Sequence, residues 1–198
     1  VLRNFDEHGN RVDEIEYHPS FVAMQKIGFA DFGFAAMSHR EGVLGWPTRV
    51  PHVVKYALSY LFVQAEFGLF CPISMTDSAA RVLAQFGPDE LRKRYLPGLT
   101  STNFDSLLQS AQLLTERTGG SDVGANECVA REVNGEWRLS GEKWFCSNVG
   151  ADIHLTLARS AGAPDGTRGL GMFLVPRLLP DGTQNSYTVR RLKEKLGS

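Results

Sequence analysis

The feature that most constrains this chain is a switch in hydrophobic pattern near residue 108. Upstream, apolar residues recur at three- and four-residue spacings, as in helices that bury one stripe. Downstream, short runs rich in β-branched and aromatic residues are punctuated by Gly, Asn and Asp turns, as in strands. Two periods in sequence, helices first and strands after, predict an α+β fold. The expected division is a helical portion over residues 1–108 and an antiparallel β barrel or sandwich over residues 109–198.

Within the first portion, Phe21, Val22, Met24, Ile27, Phe29, Phe32 and Phe34 predict helix from Pro19 to about Met37, weakened by Gly28 and Gly33. Val53 to about Phe67 is apolar almost all round, which predicts a helix buried among other helices. Pro72 suits the first turn of a third helix through Met75, Ala79, Val82, Leu83 and Phe86. Gly87 ends it, Glu90 to Tyr95 forms a short charged helix, and Gly98 to Asn103 is a polar connector.

In the second portion, Asn134-Gly135 between Cys128–Val133 and Glu136–Leu139 is a strong hairpin signal, because both turn positions favour positive φ. Further strands are expected over Gly141 to Ser147, Ile153 to Arg159, Leu170 to Val175 and Ser186 to Arg190. Pro164-Asp165-Gly166 and Pro180-Asp181-Gly182 have the chemistry of turns between them.

Composition narrows the possible partners. A formal net charge of −1 over 198 residues gives no clustered basic excess of the kind nucleic acid attracts. The basic runs Arg92–Arg94 and Arg190–Lys195 are interrupted or flanked by other residue types and read as solvated faces. Cys71, Cys128 and Cys146 are odd in number and widely spaced, so a reducing compartment fits better than a disulfide framework. That favours the cytoplasm, or the mitochondrion in a eukaryote. The longest apolar run, Val53–Phe70, carries Lys55, Gln64 and Glu66 and falls short of the roughly 20 apolar residues of a membrane span. His8, His18, His39, His52 and His154 lack metal-ligand spacing, and Met24, Met37, Met75 and Met172 read as core filler. The chain starts at Val1 and ends at Leu196-Gly197-Ser198 with no signal peptide pattern, and both ends read as cut.

Two segments carry chemistry. In Leu114 to Val123 (LTERTGGSDV), paired glycines let the backbone approach a flat or charged ligand. The hydroxyls of Thr115 and Ser121 can bond a polar ring edge or a phosphate, and Asp122 can fix the turn. In Gly141 to Asn148 (GEKWFCSN), strand alternation would put Phe145 and Ser147 on one face, an aromatic plane beside a hydroxyl. Taken singly, the first also reads as an ordinary turn and the second as core packing.

Taken together and in this order, TE-x-x-GGSD followed by G-x-K-W-F across a hairpin resembles the middle β domain of the acyl-CoA dehydrogenases. The Cys71-Pro72-Ile73-Ser74-Met75-Thr76 segment resembles that family's AidB-type branch. So do Phe173-Leu174-Val175-Pro176-Arg177, Leu179-Pro180-Asp181-Gly182 and the terminal Leu192 to Gly197. The resemblance implies a flavoprotein that removes the α-proton and β-hydride of an acyl-CoA thioester. FAD is its implied cofactor, held by Leu114, Thr115, Gly120, Ser121, Phe145, Cys146 and Ser147. Thr115 would bond the polar edge of the isoalloxazine, Phe145 would cover one face, and Ser147 would bond near N5. Ser121, Asp122 and Val123 would meet the substrate. The family's carboxylate base lies in a C-terminal helical domain, so no catalytic residue is expected in this chain. Glu116 is read as structural.

The resemblance also implies a homo-oligomer, dimer or tetramer. Leu114 stands where the AidB-type motif usually has methionine, the Asp105–Leu113 connector is short, and Phe145 replaces the usual tryptophan. Two other functions stay open: a DNA-associated flavoprotein of the alkylation response, and an acyl-CoA or lipid-binding homologue without turnover.

Overall fold

The computed structural model describes residues 1–194. Lys195, Leu196 and Gly197, part of the terminal stretch that carries the family resemblance, lie outside the described residues.

The first helix is preceded by an antiparallel hairpin that the sequence reading does not anticipate: β1 (Leu2–Phe5) and β2 (Arg11–Ile15). Its turn is fixed by Asp6, whose carboxylate accepts the backbone N–H of His8 and of Asn10, and by Gly9 at φ 82°. Hydrophobic alternation is masked here because the buried residue of β2 is an acid, Asp13. Its carboxylate accepts the side chains of Asn4 and Arg11 and the backbone N–H of Val189. The hairpin therefore holds the far end of the chain in place.

Helix α1 (Pro19–Lys26) runs into a π-helical turn over Ile27–Asp31 and stops at Gly33, φ 68°, so the helix ends before Met37. Phe34 to Met37 continue as turns sunk in the core. Gly28 is where this segment meets its neighbour. A Cβ there would lie 2.6 Å from Ile73 Cδ1 and 3.3 Å from Phe62 Cζ, so a larger residue would have to displace these side chains.

Helix α2 (His52–Ala65) departs from its expected burial on all sides. Val53 is 77% exposed, and Tyr56, Tyr60 and Leu61 are exposed beside it. The one lysine of the helix points inward instead. Lys55 is 3% exposed and donates to Ser38 Oγ at 2.9 Å and Asp77 Oδ2 at 2.6 Å, where His39 also meets Asp77 at 2.8 Å. An apolar sequence face thus stays in solvent while a cation is buried because it has an anion to meet.

Helix α3 (Phe67–Phe86) begins five residues before the expected start, since the Glu66 carboxylate caps it by accepting the Leu69 N–H at 3.2 Å. Pro72 consequently sits inside the helix. Helix α4 (Asp89–Leu99) extends past the expected Tyr95 and contains Pro97 and Gly98. Phe29, Phe34, Met37, Val50, Phe62, Leu69 and Ile73 form the helical core. Phe34 stands at its centre, stacked on Phe32 and edge-on to Phe62 and Phe70.

The second half holds β3 (Ser110–Leu113), β4 (Val129–Val133), β5 (Glu136–Ser140), β6 (Ile153–Ser160) and β7 (Leu170–Pro176). β6 is the spine. β3 pairs with it in parallel, the start of β4 pairs with its last two residues in parallel, and β7 pairs antiparallel along the opposite edge. β4 and β5 make the expected hairpin, with Asn134 at φ 52° and Gly135 at φ 79°. The sheet is therefore open and mixed, not the antiparallel barrel or sandwich anticipated from the sequence. Parallel pairing arises because a long excursion, residues 114–152, separates β3 from β6 and brings the chain back in the same direction.

Gly141–Ser147 and Ser186–Arg190 are not strands. The sheet packs on the helices through Ile153, Leu83, Leu99 and Tyr95, and the Ser110 N–H donates to Thr76 Oγ1 on α3. No helix among the described residues is long and apolar enough to cross a membrane.

The two kinds of apolar residue in the helices should separate in a stability measurement. Phe34→Ala is expected to cost about 3–5 kcal/mol in chemical denaturation, as for other buried phenylalanines. Leu61→Gln, on the exposed face of α2, should stay within about 0.5 kcal/mol of the parent. A cost for Leu61→Gln comparable to that of Phe34→Ala would contradict the placement of α2.

Candidate functional site

The loop after β3 and the irregular segment after β5 are joined by one buried ion pair. Lys143 Nζ donates to Glu116 Oε1 at 2.6 Å, with the two side chains 7% and 4% exposed. Glu116 also accepts the backbone N–H groups of Glu127 and Cys128. Burial pushes the Glu116 carboxyl up, but these donors outweigh it and hold the group below the usual carboxylate value. Burial, and then the carboxylate itself, pushes the adjoining Cys128 thiol up to about 12, which keeps it unreactive. Glu116 is thus a structural anchor, as its motif position implied.

Around that pair the backbone is closed by further bonds. The Trp144 N–H donates to Thr115 O at 2.8 Å, and the Leu114 carbonyl accepts Asn126 Nδ2 at 2.8 Å and Lys143 Nζ at 3.3 Å. The Glu116 N–H bonds Gly119 O at 2.8 Å, which tightens the loop. At the other end Asn148, at φ 52°, donates to Gln109 Oε1 and Ser110 O and returns the chain toward β6.

The two glycines of the loop have different reasons to be there. A Cβ on Gly119 would lie 2.5 Å from Asn126 Oδ1 and 3.1 Å from the backbone of Asn126 and Asp122, so a side chain there would crowd the loop. A Cβ on Gly120 would meet only the Thr115 methyl at 3.7 Å. Among the described residues nothing excludes a side chain at Gly120, and the space it leaves opens into a cavity.

That cavity, about 460 Å³, is lined by Thr115, Glu116, Arg117, Gly120, Trp144, Phe145 and Arg191. Phe145 is its most unusual wall. The ring is 61% exposed and its backbone has φ 56°, a conformation that is a genuine outlier for a bulky residue. The strand alternation expected of Gly141–Ser147 fails at this residue. Trp144 stands edge-on to it, with ring centroids 5.6 Å apart. Arg117 lies 4.2 Å over the Trp144 ring, Arg191 5.5 Å from the same ring, and Lys193 4.4 Å over Phe145.

Of the residues singled out from the sequence, the cavity gathers Thr115, Gly120 and Phe145. Leu114 contributes its carbonyl to the anchor rather than a side chain to the cavity. Ser121 and Asp122 are exposed on the outer part of the loop, Val123 is half-buried beyond them, and Cys146 and Ser147 are half-buried after Phe145. Burial pushes the Cys146 thiol up.

Trp144, Arg117 and Arg191 are the residues that sequence reasoning left out. Arg117 sits inside the quoted loop motif, and Arg191 belongs to a run read as solvated. Its neighbour Arg190 pairs with Glu142 at 3.0 Å, so this run is drawn onto the site. The signal available was the pairing of these cations with Trp144, which only the fold reveals.

Breaking the anchor should be costly. Lys143→Met strands a buried carboxylate and is expected to lower stability by about 3–5 kcal/mol at neutral pH. Because the Glu116 pKa is depressed in the parent, its contribution is present above the unfolded carboxylate value and lost as pH falls through the folded one. The variant's penalty should therefore shrink on acidification, measured as denaturation midpoints across pH. A penalty that grows as pH falls would contradict this role.

Comparison with known proteins agrees with the arrangement. Residues 1–106 match the family described as the adaptive response protein AidB N-terminal domain, and residues 111–198 match the acyl-CoA dehydrogenase middle domain. AidB of Escherichia coli is 36% identical over all of this chain, which covers 36% of that protein. The chain thus spans about a third of the length of the curated relatives it matches. Among solved structures, Bd2924 in its apo form is 33% identical, with a TM-score of 0.84 over 98% of this chain and 39% of that one. ACDH-11 of Caenorhabditis elegans, solved in complex with C11-CoA, is 30% identical, with a TM-score of 0.76 over 98% of this chain and 34% of that one. By fold and by these matches, the chain belongs to the acyl-CoA dehydrogenase family, in its AidB-type branch.

Proposed function

We propose that this chain is the cofactor-facing part of an FAD-dependent oxidoreductase that dehydrogenates an acyl-CoA thioester. The observation that carries the reading is the exposed, strained Phe145 set in one cavity with Thr115 and the sterically unexplained Gly120. A bulky aromatic held at positive φ with most of its ring in solvent buries little surface in return for its strain, and such strain collects at ligand sites. The chemistry of the lining suits a planar heterocycle with a polar edge and an anionic tail.

In this reading Phe145 covers one face of the ring and the Thr115 hydroxyl bonds its polar edge. Leu114 and Gly120 supply backbone at close approach, and Ser121 reaches the phosphate groups. Cys146 and Ser147, which follow Phe145 in the chain, would lie along the ring, and the Ser147 hydroxyl would bond near N5. Asp122 and Val123, with Ser121, face the substrate side. Bound flavin would supply the hydride acceptor, and this chain's residues would position it and exclude water. Residues 1–108 would form a helical domain and residues 109–198 the FAD and acyl-CoA domain of a homo-oligomer. The C11-CoA ligand of the ACDH-11 structure supports an acyl-CoA as substrate class. Glu116, taken by Lys143 and depressed in pKa, is unsuited to act as the base, which belongs outside this chain.

The test is flavin fluorescence on the purified protein that carries this chain. FAD should bind with altered emission, and Thr115→Val should weaken binding by about threefold to tenfold, the scale of one hydrogen bond. A folded protein that takes up no FAD under any reconstitution condition overturns the reading.

A further inference from the structure

We propose that Arg117 and Arg191 form a phosphate clamp at the cavity, so that it selects a phosphate-bearing flavin over the bare ring. The inference rests on the flavin reading and deepens it. Both arginines line the cavity beside Thr115, Gly120 and Phe145, and both guanidinium groups sit over one indole, at 4.2 Å and 5.5 Å from the Trp144 centroid. A guanidinium stacked on an aromatic face has its plane fixed while its N–H edge stays free to donate.

The charge arrangement points to an anion. Arg190 pairs with Glu142 at 3.0 Å, whereas among the described residues neither Arg117 nor Arg191 has a carboxylate within 4.0 Å. The acid in the cavity wall, Glu116, is already neutralised by Lys143 at 2.6 Å. Lys193, 4.4 Å over the Phe145 ring, is a third cation beside these aromatics. Gathering like charges around two aromatic rings is unfavourable until an anion joins them, and a planar guanidinium can meet two phosphate oxygens at once. A flat wall next to a cationic wall fits a ligand that is aromatic at one end and phosphorylated further on. The shared chemistry is a phosphate group, and FAD and coenzyme A both carry it. We assign the clamp to the cofactor because its two cations share the cavity with Phe145 and Thr115.

The experiment titrates FAD, FMN and riboflavin into the apo form of the protein carrying this chain, read by flavin fluorescence. It is repeated for Arg117→Gln, Arg191→Gln and Arg117→Lys, with circular dichroism to confirm folding. The parent should bind FAD and FMN at least about tenfold more tightly than riboflavin, the scale of one charge-assisted hydrogen bond, with the gap closing as salt rises. Each glutamine variant should lose that discrimination while its riboflavin affinity stays within about twofold, and Arg117→Lys should keep part of it. Equal loss for riboflavin and FAD would mark a merely structural role and overturn the clamp. So would a parent that binds all three flavins alike. A parallel CoA titration that weakens in Arg117→Gln, with flavin discrimination intact, would assign the clamp to substrate and overturn it too. Failure of every flavin to bind the folded parent would instead sink the flavin reading itself.

Discussion

The site depends on a single buried ion pair. Glu116 and Lys143 come from segments that have no strand pairing with each other, and their bond at 2.6 Å holds loop and segment together. Buried ion pairs add little net stability, because desolvation offsets attraction, but removing one partner is expensive. Such a pair therefore fixes arrangement more than it strengthens the fold. With Lys143 pinned, the next N–H reaches Thr115 O at 2.8 Å and the following residue, Phe145, is turned outward at φ 56°. The cavity is the consequence of that sequence of constraints.

A second constraint comes from far away in sequence. The amino-terminal hairpin uses Asp13 to hold Val189, through an N–H donated at 2.8 Å, and Asn4 accepts the same task by donating to Val189 O at 3.1 Å. This fixes the exit of the chain so that Arg191 reaches Trp144 and Lys193 reaches Phe145. A hairpin before the helical portion thus contributes to a site on the sheet side. The buried His39–Asp77–Lys55 cluster among the helices shows the same logic, an inward cation accepted because an anion awaits it.

Much of the fold was legible in the sequence where local rules and tertiary context agree. Asn134-Gly135 announced its hairpin because positive φ at both positions is written in those residue types. Strands β6 and β7 follow their apolar runs, and α3 ends at Gly87 as expected. Other features were hidden for physical reasons. The exposed face of α2 is apolar in composition, and composition does not say which side meets solvent. The mixed sheet depends on the direction in which a long excursion returns, which no local pattern encodes. The loop Leu114–Val123 and the segment around Phe145 were legible as a pair, and Thr115, Gly120 and Phe145 do share one cavity. Their geometry was not, because positive φ in a phenylalanine contradicts the local preference that strand reasoning uses. The cations escaped notice because a basic run looks the same whether it is solvated or stacked on an indole.

The most direct test of the central claim is a crystal structure of the protein carrying this chain with FAD bound. The account predicts the isoalloxazine against the Phe145 ring, its polar edge on the Thr115 hydroxyl, and the Glu116–Lys143 pair intact beneath it. A flavin ring seated elsewhere, with Phe145 and Thr115 still facing solvent, would contradict it.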